Sequence, residues 1–144
     1  MPTKAPVASP ARVLARLSRV VENAVGEDLS LSQYRLLAFL AKGDWAASVL
    51  ADRLDVSRPS VTGLVDGLVK RGLVERRPAT DDRRRIDHVI TADGRRALED
   101  ADARADERLR ELFAGLPADV ATDAHDVLLR LQVALDARLE EKLR

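Results

Sequence analysis

A mainly helical fold carrying one small β-hairpin is predicted for this chain of 144 residues, and three observations predict it. Apolar residues recur at three- and four-residue spacing over most of the sequence, the period of amphipathic helices. Between Leu73 and Ile90 the period changes to that of strands. Glycines, prolines and capping residues stand at the boundaries those patterns require. The length suits a single domain with a substantial core.

Residues 1–10 hold three prolines and one lysine without an apolar stretch, which reads as a flexible N-terminal arm and not a signal peptide. From Ala11 a helical stripe of Val13, Leu14, Leu17, Val20, Val21, Ala24 and Val25 runs to Gly26. Ser30 and Gln33 have the spacing of a capping box and open a second helix, with Leu36, Leu37, Leu40 and Ala41 inward and Gly43 beyond its end. A short third helix turns Val49, Leu50 and Leu54 inward, and Ala51 is small enough to admit another helix. Its start is ambiguous: Ala46 stands where a cap would help, and Asp44 and Ser48 are the alternatives. Asp55 and Val56 make a tight turn, and Ser57 caps a fourth helix whose first turn tolerates Pro59. Val61, Leu64, Val65 and Leu68 face inward, and Lys70 and Arg71 close the helix before Gly72.

Leu73–Arg77 and Arg85–Ile90 read as two strands around a polar, turn-rich loop, with Ile86, His88 and Ile90 on the inward side. Thr91 caps a long helix to about Phe113, and Gly115, Leu116 and Pro117 interrupt it. The last helix carries Val120, Ala124, Val127, Leu128, Leu131, Leu135 and Leu139 at helical spacing. This stripe and that of Ala11–Val25 exceed what one small domain can cover, which predicts a partner chain.

Formal net charge is zero, but it is segregated. Residues 1–52 hold six Lys/Arg against five Asp/Glu, residues 53–96 eleven against seven, and residues 97–144 seven against twelve. A basic middle section and an acidic tail allow one part of a neutral protein to meet nucleic acid. The absence of cysteine excludes disulfides, thiolate metal sites and thiol-based redox sensing in this chain. No apolar run approaches the roughly 20 residues of a membrane span. A cytoplasmic location is expected.

Short helix, tight turn, helix and hairpin in that order make a winged helix-turn-helix, in which the second helix enters the major groove and the first braces it. The outward positions of that second helix are Arg58, Pro59, Ser60, Thr62, Gly63, Asp66 and Gly67. Ser57, Arg58, Ser60 and Thr62 are candidates for base and phosphate contacts, and Lys70 for the backbone. The hairpin contributes Arg76, Arg77, Arg83, Arg84 and Arg85, a cluster suited to a narrow, electronegative minor groove. An isolated arginine-rich turn is often only a solvated hairpin; one placed directly after a helix-turn-helix is a wing.

These stretches resemble the MarR family of bacterial regulators: Leu31–Leu40 (LSQYRLLAFL), Leu50–Leu68 (LADRLDVSRPSVTGLVDGL), Lys70–Arg76 (KRGLVER) and Asp82–Arg95 (DRRRIDHVITADGR). The resemblance implies that Asp82 orients Arg84, the arginine that enters the minor groove, and that Thr91 and Gly94 open the following helix. It also implies a homodimer, joined by the first and last two helices, on a pseudo-palindromic operator in double-stranded DNA. Asp55 departs from the glycine or asparagine usual in the turn, but aspartate can adopt the left-handed conformation.

The organisation expected is therefore an arm over 1–10, a dimerisation helix over 11–28, a DNA-binding lobe over 29–96 and C-terminal dimerisation helices over 97–144. The resemblance also suggests a small aromatic or anionic effector between lobe and dimer helices, with Arg16, Arg19, Tyr34 and Trp45 as candidate lining. The alternative is that Tyr34 and Trp45 pack the junction and the two arginines are solvated. No cofactor and no metal are called for: His88 points inward on a strand, and His125 shares no helical face with Asp123 or Asp126. Without a phosphate loop or an activated nucleophile, an enzyme is not expected. A winged-helix module that binds protein instead of DNA is the rival, and the arginine-rich wing argues against it.

Overall fold

The computed structural model describes residues 9–142. In chain order these form α1 (Pro10–Val25), α2 (Leu31–Leu40), β1 (Trp45–Ala46), α3 (Ala47–Leu54), α4 (Arg58–Lys70), β2 (Val74–Pro78), β3 (Ile86–Ile90), α5 (Ala92–Phe113) and α6 (Ala118–Lys142). The arm expected over residues 1–10 lies outside the described residues except for Ser9 and Pro10, and Pro10 already opens α1.

The capping box of α2 is present: the Ser30 hydroxyl accepts from the Gln33 amide at 3.2 Å, and the Ser30 amide donates to Gln33 Oε1 at 3.0 Å. It starts a helix whose Leu36, Leu37 and Leu40 are wholly buried, each stabilising the fold by about 1.5–3 kcal/mol. Around them close Leu50 and Leu54 of α3, Val61, Val65 and Leu68 of α4, and Leu98, Ala101 and Ala105 of α5. The small side chains of α5 let α1 lie along it. Arg104 then reaches back, donating from Nε to the Ala24 carbonyl at 3.2 Å and pairing with Asp28 at 3.1 Å.

Two features of the sheet differ from the sequence reading. It has three strands, in the order β1-β3-β2, because Trp45 and Ala46 pair antiparallel with His88 and Asp87. Also, Ile86 is exposed and Val89 is buried. As the central strand, β3 is flanked on both edges, and α2, α3 and α5 lie against it. The alternation therefore fails and His88, Val89 and Ile90 are buried in succession. His88 is satisfied there, with Nδ1 at 3.0 Å from the Trp45 carbonyl oxygen.

β1 also resolves the start of α3. The chain leaves the strand with Ala46 as N-cap, and neither Asp44 nor Ser48 supplies a side-chain cap. At the other end the Arg35 guanidinium donates to the Leu54 carbonyl at 3.2 Å. Thr91 locks α5 to the lobe: its hydroxyl accepts from the Gly94 amide at 3.0 Å and donates to the Gly72 carbonyl at 2.7 Å. A Cβ on Gly94 would lie 2.1 Å from the Leu73 carbonyl oxygen, so the crossing admits glycine alone.

The tail is different in kind. Val120, Val127, Leu129, Leu131, Val133 and Leu135 of α6 are exposed, as are Val13 and Leu14 of α1. Lys42 reaches from the loop after α2 to Asp136 of α6 at 3.3 Å. No helix among the described residues is long and apolar enough to cross a membrane.

Candidate nucleic-acid interface

The turn between α3 and α4 is built on Asp55, the one described non-glycine residue at positive φ (56°). Its left-handed conformation lets its amide close α3 and aims the chain into α4. Ser57 then caps α4, accepting from the Ser60 amide at 3.3 Å while the two hydroxyls lie 2.8 Å apart. Val61, Val65 and Leu68 bury the inner face of α4, leaving Arg58, Pro59, Ser60, Thr62 and Gly63 exposed. Thr62 Oγ1 donates to the Arg58 carbonyl at 3.1 Å. Its proton committed, the hydroxyl presents lone pairs to the outside. Gly63 meets no heavy atom within 4 Å of an added Cβ, although glycine within a helix costs about 1 kcal/mol relative to alanine.

The wing is the β2–β3 hairpin, in register from Val74↔Ile90 to Pro78↔Ile86. Asp82 organises its tip. The carboxylate accepts from the Arg84 backbone amide at 2.9 Å, and the Asp82 carbonyl accepts from the Arg85 amide at 2.9 Å. The carboxylate thus holds Arg84 through its main-chain amide.

The structure divides the wing arginines into two groups. Arg85 is held by Asp81 at 2.8 Å and Asp87 at 3.1 Å, and Arg77 pairs with Glu75. The hydrogen bonds that Arg85 donates to Asp87 and then Asp81 raise its pKa, while a backbone amide and Arg85 lower that of Asp81. Among the described residues Arg83, Arg84, Arg58 and Lys70 make no side-chain ion pair, and all four are exposed. Arg76, counted with the wing cations in the sequence, pairs with Asp66 of α4. The Asp81–Arg85 pair depends on how the hairpin tip turns, and the Asp66–Arg76 link joins two elements, so neither left a local trace in the sequence.

The four candidate effector residues are not gathered in one place. Arg19 pairs with Glu22 at 2.7 Å on the open face of α1, and Arg16 is exposed nearby. Tyr34 donates to Asp102 of α5 at 2.6 Å. Burial first, then Asp102, pushes its phenol well above the ordinary value of 10.0. Trp45 donates from Nε1 to the Phe39 carbonyl at 3.3 Å, and the Arg53 guanidinium lies 4.3 Å over its ring. None of the four lines the cavity of about 550 Å³ between α1 and α5, which is bounded by Val20, Ala24, Glu27, Arg104 and Arg108 among others.

An α-helical pair with a left-handed aspartate at the turn, a capped and exposed second helix and an arginine-tipped hairpin define a fold that known proteins share. The MarR family profile matches residues 27–85. The HTH-type transcriptional regulator FarR of Neisseria gonorrhoeae is 31% identical over 106 residues, covering 73% of each protein. This chain belongs to the MarR family. The HTH-type transcriptional repressor YetL of Bacillus subtilis is 35% identical over 88 residues, which are 58% of this chain and 53% of YetL, about half its length. The solved structure of CouR from Rhodococcus jostii RHA1, bound to p-coumaroyl-CoA, superposes with a TM-score of 0.66 at 29% identity, covering 84% of this chain and 87% of CouR. These MarR relatives bear the names of regulators, not of enzymes.

Proposed function

We propose that this chain is a sequence-specific, DNA-binding transcription regulator that acts in the cytoplasm as a homodimeric repressor on a pseudo-palindromic operator. The observation that carries the reading is that Arg58 and Lys70 on α4 and Arg83 and Arg84 at the wing tip are exposed and, among the described residues, have no side-chain partner. Among the described residues Arg12, Arg16, Arg95, Arg130 and Arg138 are likewise exposed and unpaired, but they lie outside α4 and the wing; the four on α4 and the wing tip are left for phosphates and base edges. In this reading Ser57, Arg58, Ser60 and Thr62 meet the major groove, Lys70 the backbone, and Arg83 and Arg84 the minor groove. Asp82 sets the wing tip, with Arg77 and Arg85 as its paired flank.

The exposed apolar residues of α1 and α6 support dimerisation, since covering them requires a second chain. A two-fold dimer sets two α4 helices about one DNA turn, roughly 34 Å, apart. Release by a small aromatic or anionic effector completes the proposal. CouR binds p-coumaroyl-CoA; here the α1–α5 cavity has the volume for a small ligand, although Glu27, Glu107 and Glu111 line it beside Arg104 and Arg108, which pair with Asp28 and Glu111.

A salt titration by fluorescence anisotropy tests the reading, comparing the intergenic duplex upstream of the coding sequence with a random duplex. Tight, steeply salt-dependent binding with a strong preference for the upstream duplex is expected. Absence of binding to both duplexes at low salt would overturn it.

A further inference from the structure

Arg58, Thr62, Asp66 and Lys70 follow one another at four-residue spacing, so they form a single stripe along the exposed side of α4. Asp66 is the one acidic residue of the helix. A carboxylate on a surface that must approach phosphates lowers affinity for every duplex. It is nevertheless held in place, because Arg76 crosses from β2 to pair with it. Both partners are more than 40% exposed (Arg76 42%, Asp66 48%), and an ion pair that open contributes only about 0–1 kcal/mol to stability. Its consequences lie in charge and aim: the pair removes one cation from the phosphate-binding set and points an acceptor outward.

Thr62 gives the second half of the pattern. With its proton given to the Arg58 carbonyl, its hydroxyl is an acceptor one helical turn from the Asp66 carboxylate. In the major groove, acceptors find two partners on base edges, the amino groups N4 of cytosine and N6 of adenine.

We infer that Thr62 and Asp66 form an acceptor pair that reads exocyclic amino groups of the operator, with Asp66 as a specificity-determining residue and Arg76 as the positioning residue that aims it. The inference rests on the DNA-binding reading above and adds which bases this stripe selects. On a matching sequence the carboxylate gains a hydrogen bond; on every other sequence it only repels. Asp66 thus lowers background binding and sharpens choice.

The test is a selection from a randomised duplex library with the full chain and with Asp66→Asn, followed by salt titrations of both proteins on the wild-type consensus duplex and a random duplex. The wild-type consensus should show cytosine or adenine at one position per half-site, and a cytosine there should give way to adenine with D66N, whose amide can accept from N6 and donate to N7 of adenine. D66N should bind the random duplex about fivefold more tightly at low salt, with a slope steeper by about one per freed Arg76. Its preference for the consensus should fall about fivefold or more. Arg76→Gln, which leaves the acid without its clamp, should also lose preference while gaining no affinity for random DNA. An unchanged consensus, slope and preference in D66N would overturn the assignment, including when D66N melts at a lower temperature. Wild type that binds no duplex would overturn the DNA-binding reading itself.

Discussion

The lobe and the tail of this protein solve the same problem, covering an apolar helical face, in opposite ways. In the lobe, Leu36, Leu37, Leu40 and Leu50 have no exposed surface, because α2, α3, α4 and the sheet converge on them. In the tail, Leu129 is 60% exposed and Val133 70%. The lobe closes on itself and can hold a recognition surface rigid. The tail leaves its apolar residues uncovered in one chain, as the proposed dimer requires.

The sharpest way to break this comparison is to cut the same methylenes from each side. Leu37→Ala should cost about 2–5 kcal/mol of unfolding free energy by leaving a cavity. Leu135→Ala should leave the melting of the lobe almost unchanged and instead weaken self-association, read by sedimentation against concentration. Equal losses of stability from both would show that α6 belongs to the lobe. Next in size is Gly94→Ala, where α5 crosses the lobe at Leu73. The new methyl group meets the Leu73 carbonyl, and a loss of about 1–3 kcal/mol is expected in denaturant titrations.

Gly63→Ala should act in two directions. Removing an exposed mid-helix glycine stabilises the lobe by about 0.5–1 kcal/mol. The same methyl group stands on the face proposed to approach DNA, so duplex binding should weaken while thermal stability rises. Parallel gains in both would remove α4 from the interface. The smallest effect concerns Tyr34, which ties α2 to α5 through Asp102. Its phenol titrates at higher pH folded than unfolded, so the folded state keeps its proton longer. That stabilisation is complete below the unfolded value near 10.0 and is lost as pH rises above it. Tyr34→Phe should flatten the alkaline fall in stability, as followed by denaturant midpoints against pH.

The same contrast explains how much was legible beforehand. Helices with one buried face, such as α2 and α4, announce themselves by spacing, and their caps at Ser30 and Ser57 by residue type. The left-handed turn at Asp55 could be anticipated because aspartate tolerates it. β1 could not, since two residues carry no alternation, and its partner β3 loses alternation through being covered on both sides. At the candidate interface the residue types were readable and their pairing was not. Five wing arginines look alike in sequence, yet Arg76, Arg77 and Arg85 are engaged by carboxylates, while Arg83 and Arg84 are not. Asp66 was visible as an outward position, but its bond to Arg76 depends on how β2 returns past α4.

A hydroxyl-radical footprint of the full chain on its selected duplex tests both halves of the account at once. It should show two protected patches related by a two-fold axis about one helical turn apart, each flanked by a protected minor groove where Arg84 sits. A single protected patch would contradict the dimer, and protection without flanking minor grooves would contradict the wing.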